Sequence, residues 1–224
     1  FALMASLGVR HYRLSLAWPR IYPHGDGALN PAGLDFYHRL FASMKRHGIE
    51  PWVTLFHWDL PQALEDEYGG WLDRRVVDDF AAYSALVFDA FGDKVKDWIT
   101  LNEPWCSAAL GYANGGHAPG RGAAAHTEPY VAGHHMLLAH AMAVAAFRAR
   151  AGGGGRIAIT LNMDWREPRT PSAADADAAR RALDFQLGWF AEPVYFGDYP
   201  ASMKQRCGAR LPSFTADESA LLHR

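Results

Sequence analysis

The 224-residue chain has few cysteines and little net charge. Cys106 and Cys207 form no CxxC pair and offer no disulfide framework, which favours a reducing compartment, so we expect a cytoplasmic location. The formal net charge of −2 argues against a nucleic-acid partner and against a membrane surface as partner. No apolar run is long enough to predict a membrane-spanning segment.

Motifs of metal, nucleophile and phosphate chemistry are also missing. The chain has no HExxH or GxSxG sequence, and His134, His135 and His140 lack the i, i+4 spacing of a helical zinc pair. Consecutive glycines at 152–155 precede a predicted strand, whereas a phosphate-binding loop follows a strand and opens a helix. We therefore expect no metal and no cofactor.

Apolar and aromatic residues are abundant. Hydrophobic residues make up 50% of the chain, aromatic residues 13% and charged residues 21%, which predicts one globular domain over residues 1–224. Aromatic side chains in this number fit either a large core or rings that stack on a ligand's flat apolar faces.

Strand-like and helical segments alternate along the chain. Runs of aliphatic, β-branched and aromatic residues predict strands at 9–18, 51–57, 95–102 and 156–163. Helical spacing and end signals predict helices at 31–48, 73–92, 130–150 and 173–190, and a last one that begins at the capping box of Thr215 and Glu218. Residues 1–8 predict a helix end closed by Gly8, so we expect the chain to begin inside an element. Alternation without hairpin signals predicts βαβ units and a parallel sheet.

The third predicted strand ends in Asn102 and Glu103, immediately before a proline. The carboxyl ends of parallel strands are where β/α folds place their chemistry, and a glutamate there can serve as a general acid or base. The alternative is that Glu103 caps the following segment. Asn102 offers a neutral donor and acceptor suited to a hydroxyl-rich ligand, or it is a turn residue at a strand end.

The second predicted strand ends in His57 and Trp58, which pair a hydrogen-bonding ring with a stacking platform. The alternative for His57 is a core histidine whose ring nitrogens are hydrogen-bonded within the protein. Asp59, which follows, is expected to be the N-cap of a helix at residues 61–67.

Arg13 lies inside the first predicted strand. An arginine buried in a parallel sheet needs an anionic partner, and a carboxylate at a barrel mouth would serve. The alternative is an outward side chain that extends past the helices to solvent.

Together these segments resemble glycoside hydrolase family 1, the β-glucosidase family. The resemblance rests on YRLSLAWPRI at 12–21, FHWDLPQ at 56–62, GGW at 69–71, TLNEPW at 100–105, LN at 161–162, the region 184–200 and LPSFT at 211–215. It implies a (β/α)₈ TIM barrel. This chain would hold strands two to five of that barrel, which would be truncated at both ends. A half-barrel exposes the edges of its outer strands, so a missing barrel half or self-association would complete it.

The resemblance also implies residue roles and a retaining β-glucosidase that acts on a small glycoside by double displacement. Glu103 would be the acid/base, and Asn102, His57, Trp58 and Asn162 would bind the sugar. Arg13 would lie near the nucleophilic glutamate, which the family carries in a Thr-Glu-Asn-Gly sequence.

No Thr-Glu-Asn-Gly sequence occurs in this chain, so we expect the isolated chain to be inactive. The alternatives left open are a 6-phospho-β-glycosidase and a non-catalytic carbohydrate-binding relative.

Overall fold

A computed structural model describes residues 1–150 and 154–223 of the chain. Its strands are β1 (His11–Ser15), β2 (Glu50–Phe56), β3 (Asp97–Asn102) and β4 (Arg156–Thr160). The α-helices are α1 (Ala2–Ser6), α2 (Trp18–Ile21), α3 (Pro31–Arg46), α4 (Gln62–Tyr68), α5 (Arg75–Phe91), α6 (Glu128–Ala149), α7 (Ala173–Leu183), α8 (Trp189–Phe196), α9 (Ala201–Cys207) and α10 (Ala216–Leu222). Short 3₁₀ turns lie at Gly70–Leu72 and Gly208–Arg210, and π-helical turns at Cys106–Gly111 and Asp184–Gly188.

The strands form one parallel sheet in the order β1-β2-β3-β4. The predicted βαβ organisation is therefore confirmed, although the first and fourth strands are shorter than expected, since β4 ends at Thr160 and not at residue 163. The predicted end of the first strand, Trp18, instead opens α2, because the fixed φ of Pro19 suits the first turn of a helix. The pairing of β3 with β4 carries an irregularity between Ile99 and Asn102, directly before the candidate acid.

The described chain folds as two compact units. The first comprises Phe1–Asn102 and Met142–Thr160 and contains the whole sheet. The second comprises Glu103–Ala141 and Leu161–Arg224. The single domain expected over residues 1–224 stays a prediction. Two glycines of the predicted linker, residues 152 and 153, lie outside the described residues.

In the first unit, the apolar faces of α3 and α5 supply the core. Tyr37, Phe41 and Met44 of α3 recur at helical spacing and are buried, as their positions in the sequence predict. Phe91 of α5 packs edge-on against Phe41, with ring centroids 5.3 Å apart. These contacts pack the two helices against each other in the core of the first unit.

In the second unit, helices and loops pack around buried aromatic side chains. Trp189 lies against Gly133, where an added Cβ would come within 2.8 Å of the indole, so this approach requires glycine. The predicted helix at 173–190 is present but passes through the π-helical turn and continues to Phe196. The capping box of Thr215 and Glu218 is confirmed.

The expectation that no segment has the length and composition of a membrane span was wrong. Helix α6 is long and apolar enough to cross a membrane by length and composition alone. Most of its apolar window is buried in the protein, as in a core helix, so this is weak evidence for a membrane span. The helix itself was predicted at 130–150, but His134, His135 and His140 interrupt its apolar residues, so its mean hydropathy over 18 residues was underestimated.

Candidate active site

Two residues other than glycine adopt a positive φ in the described part of the chain, and both follow strand ends. Trp58, with φ 76°, comes two residues after β2, and Glu103, with φ 46°, comes directly after β3. Such backbone costs on the order of 1–3 kcal/mol per residue and tends to occur at functional sites. The strain therefore marks the two positions that the sequence predicts to carry chemistry.

In the first unit, Arg13, Asn102 and His57 form a chain of hydrogen bonds. The Arg13 guanidinium donates through Nη2 to Asn102 Oδ1 and through Nε to Thr54 Oγ1, the latter over 3.2 Å. Asn102 Nδ2 lies 3.3 Å from His57 Nε2. Arg13 and His57, which lie on different strands or strand ends, are thus linked through Asn102.

Trp58 fixes the backbone of the same asparagine. Its indole Nε1 donates to the carbonyl oxygen of Asn102 over 2.8 Å. The rings of His57 and Trp58 stand edge-to-face, with centroids 5.0 Å apart. Asn102 is 3% exposed, so its side chain and backbone are held at a buried strand end.

The burial expected for Arg13 was wrong. The residue is exposed, as are most positions of β1, and its hydrogen bonds within the described residues go to two neutral side chains, Thr54 and Asn102. An exposed guanidinium keeps its hydration, so it does not require the anionic partner that burial would impose. The place of Arg13 near a nucleophilic carboxylate stays a prediction.

In the second unit, Cys106 links Glu103 to Asn162. The thiol Sγ donates to Glu103 Oε2 over 3.6 Å, and Asn162 Nδ2 donates to the same sulfur over 3.6 Å. Burial, with the negative charge and hydrogen bond of Glu103, raises the pKa of the Cys106 thiol to about 11, although the Asn162 bond lowers it. The thiol is therefore protonated at neutral pH and available as a donor to the candidate acid/base.

Asn162 lies two residues after β4, and its Oδ1 is buried without a hydrogen-bond partner in the described residues. A buried acceptor without a partner is costly unless a ligand or water satisfies it. Cys106 opens a π-helical turn, a feature often found at functional sites. Sequence reasoning missed Cys106, although its position three residues after Glu103 was a usable signal.

The role expected for Asp59 was also wrong. Helix α4 begins at Gln62, its N-cap is Pro61, and no side chain caps it. The Asp59 carboxyl instead accepts backbone N–H bonds from His57 and from its own residue, which lower its pKa, but burial has the larger effect and raises the pKa to about 6. Its Oδ1 is buried without a partner among the described residues.

No group of three or more histidine, cysteine or acidic side chains is arranged to hold a metal ion in the described residues. The first unit carries an amide, an imidazole and an indole at its strand ends, and the second unit carries an acid and an amide; each set suits a ligand rich in hydroxyl groups. Parallel strands that alternate with helices and carry such groups at their carboxyl ends are typical of β/α-barrel enzymes.

Comparison with known proteins identifies the family. The model of glycosyl hydrolase family 1 matches residues 1–224, so the chain belongs to this family. Beta-glucosidase 6 of Oryza sativa subsp. japonica is 52% identical over 232 residues, which cover 98% of this chain and 44% of the relative. Beta-glucosidase 40 of Arabidopsis thaliana is 47% identical over 98% of this chain and 46% of its own length.

Solved structures agree with the sequence relatives. A rice β-glucosidase crystal structure superposes with a TM-score of 0.96 at 52% identity, over 98% of this chain and 48% of that chain. A family 1 β-glucosidase from Humicola insolens, in complex with glucose, gives a TM-score of 0.95 at 44% identity, over 99% of this chain and 49% of that chain. The chain thus spans less than half the length of these relatives, and the predicted partial TIM barrel is confirmed.

Proposed function

We propose that the whole protein to which these residues belong is a retaining β-glucosidase with Glu103 as its acid/base. The observation that carries this proposal is the placement of Glu103 at the end of β3, in strained backbone next to the buried Asn102. The β-glucosidases among its relatives support the same activity.

The reaction requires two carboxyl groups about 5–5.5 Å apart. Glu103 would donate a proton to the glycosidic oxygen while a second carboxylate attacks the anomeric carbon and forms a glycosyl-enzyme. Glu103 would then take a proton from water while the water oxygen attacks the anomeric carbon, which breaks the bond to the second carboxylate and releases the sugar with its configuration retained. The Cys106 thiol, 3.6 Å from Glu103 Oε2, would help to orient the carboxyl group between these two steps.

The other site residues would hold the sugar. Asn102 and His57 would bind ring hydroxyl groups, and Trp58 would present an aromatic surface beside them. Asn162 would contribute the acceptor that has no partner in the described residues. Arg13 would orient Asn102 and lie near the nucleophile. The substrate proposed is a small β-glucoside, and the location proposed is cytoplasmic.

The decisive experiment is the hydrolysis of aryl β-glucosides by the whole protein and by its Glu103→Gln variant. We expect kcat to fall about 10²–10⁴-fold, and to fall most for poor leaving groups, because these need protonation in the transition state. Glu50→Gln, an exposed glutamate at the opposite end of β2, serves as the matched control. Unchanged turnover in Glu103→Gln, or inversion at the anomeric carbon seen by NMR, would contradict the proposal.

The isolated 224-residue chain is a separate test. We propose that it does not turn over substrate, because it covers less than half of the relatives' length and has no Thr-Glu-Asn-Gly sequence. Turnover by this chain that Glu103→Gln abolishes would refute the claim. Since β1 and β4 have open edges in the described sheet, we also propose that it self-associates or binds a missing barrel half, which size-exclusion chromatography would detect.

A further inference from the structure

The hydrogen bonds around Asn102 allow only one assignment of donors and acceptors. A guanidinium group has donors and no acceptor, so the Asn102 atom that contacts Arg13 must be Oδ1. The amide then turns Nδ2 towards His57 Nε2, 3.3 Å away. Because an amide nitrogen only donates, Nε2 must accept, and a ring that accepts at Nε2 is neutral with its proton on Nδ1.

The orientation of Arg13 is set by Thr54 on the neighbouring strand. Thr54 is fully buried in β2, and its Oγ1 accepts from Arg13 Nε over 3.2 Å. A guanidinium is a rigid planar fork, so fixing Nε also fixes the direction of Nη2. Among the described residues the Arg13 guanidinium donates to Thr54 and Asn102, so the threonine fixes Nε while Nη2 reaches the asparagine.

We propose that Thr54 is a positioning residue for sugar recognition. Through Arg13 it determines which atom of the Asn102 amide faces His57, and thereby the tautomer of His57. The meaning for substrate binding rests on the proposed glucosidase function, but the tautomer does not. With Oδ1 committed to Arg13, Asn102 meets a ligand hydroxyl with the second hydrogen of Nδ2, and so reads that hydroxyl as an acceptor.

The kinetic test uses Thr54→Val in the whole protein, a change that removes the acceptor at nearly constant volume. We expect kcat/KM for an aryl β-glucoside to fall about tenfold, mainly through KM, because a hydrogen bond to a charged group is lost. The family resemblance implies that Asn102 binds the sugar 2-hydroxyl, so the loss should be smaller for the matching 2-deoxyglucoside, which lacks that group. Thr54→Ser keeps the acceptor and should restore the wild-type ratio of the two substrates.

A matched control separates this role from simple loss of a buried hydroxyl. Ser84 is fully buried, and its Oγ donates to the Phe80 carbonyl within α5 over 2.7 Å. We expect Ser84→Ala to leave the ratio of glucoside to 2-deoxyglucoside unchanged. An equal loss on both substrates in Thr54→Val, or the same change in ratio in Ser84→Ala, would overturn the proposal.

The spectroscopic test does not depend on turnover. In protein with ¹⁵N-labelled histidine, we expect His57, assigned through His57→Gln, to show a protonated Nδ1 and an unprotonated Nε2 at neutral pH. Thr54→Val should mix the two tautomers, and Thr54→Ser should not. A wild-type His57 protonated at Nε2 would overturn the proposal even if Thr54→Val failed to fold. An inactive wild-type protein with the expected tautomer would instead refute the glucosidase proposal alone.

Discussion

Replacing Asp59 by asparagine should stabilise the folded protein at neutral pH and lose that benefit in acid. Burial raises the pKa of this carboxyl from its ordinary 3.8 to about 6, so the folded protein holds the Asp59 proton more tightly than the unfolded chain does. Between these two values the unfolding free energy of the wild type falls as the pH rises. Asparagine has no charge to bury and still offers an oxygen to the backbone N–H groups.

The size of the effect follows from the two pKa values. The difference between 3.8 and about 6 corresponds to about 3 kcal/mol at pH 7, where the carboxyl is ionised in both states. The titratable groups that face Asp59 from α3 and α5 are Tyr37 and Tyr83. Burial raises the pKa of both tyrosines, and the Asp59 charge raises it further by a smaller amount. Both tyrosines stay neutral over this range and add no pH dependence of their own.

The assay is urea unfolding of the whole protein and its Asp59→Asn variant at pH values from 4 to 8. We expect the variant's gain in unfolding free energy to grow by about 2.5 kcal/mol from pH 4 to pH 8, because at pH 4 the unfolded carboxyl is already partly ionised. Asp66→Asn, an exposed carboxylate on the neighbouring α4, controls for the change in net charge. A gain that differs by less than about 1 kcal/mol between the two ends would show that Asp59 is not a buried charge.

Three further predictions concern packing and reactivity. Phe88→Ala should lower the unfolding free energy by about 3–5 kcal/mol in chemical denaturation, because Phe88 is fully buried and packs edge-on against Trp98; a loss below about 1 kcal/mol would contradict this. Gly33→Ala should lower the thermal midpoint, since its Cβ would lie 2.0 Å from the Arg20 carbonyl oxygen, and a variant of wild-type midpoint would refute that contact. Alkylation of Cys106 by iodoacetamide should stay slow until the pH approaches about 11, whereas rapid labelling at pH 8 would contradict a buried, protonated thiol.

Periodicity and end signals predicted most of the fold because they act locally. The stripe of Tyr37, Phe41 and Met44 is a matter of helical spacing, and the Thr215 cap requires only a neighbouring turn. Both are confirmed. Strand ends were predicted well where polar residues close an apolar run, as at Asn102, and less well at Trp18, where a following proline opens a helix.

The failures share one cause, which is that burial and partners depend on residues distant in sequence. Asp59 has the residue type and position of a helix cap, but packing buries its carboxyl group. That group accepts hydrogen bonds from the backbone N–H groups of His57 and Asp59 and does not cap α4. Arg13 lies in an apolar run, yet this face of β1 is exposed. A single sequence does not show which face of a strand is covered by another helix or strand.

The sequence by itself determined the family, the parallel β/α order and the acid at the end of the third strand, because these depend on motifs and on neighbouring residues. Only the tertiary structure decided the partners of the site residues. Thr54 reaches Arg13 from 41 residues away, and Asn162 reaches Cys106 from 56 residues away. Contacts of this kind are set by strand register and loop path, since a hydrogen bond forms only when the fold brings its donor and acceptor into contact.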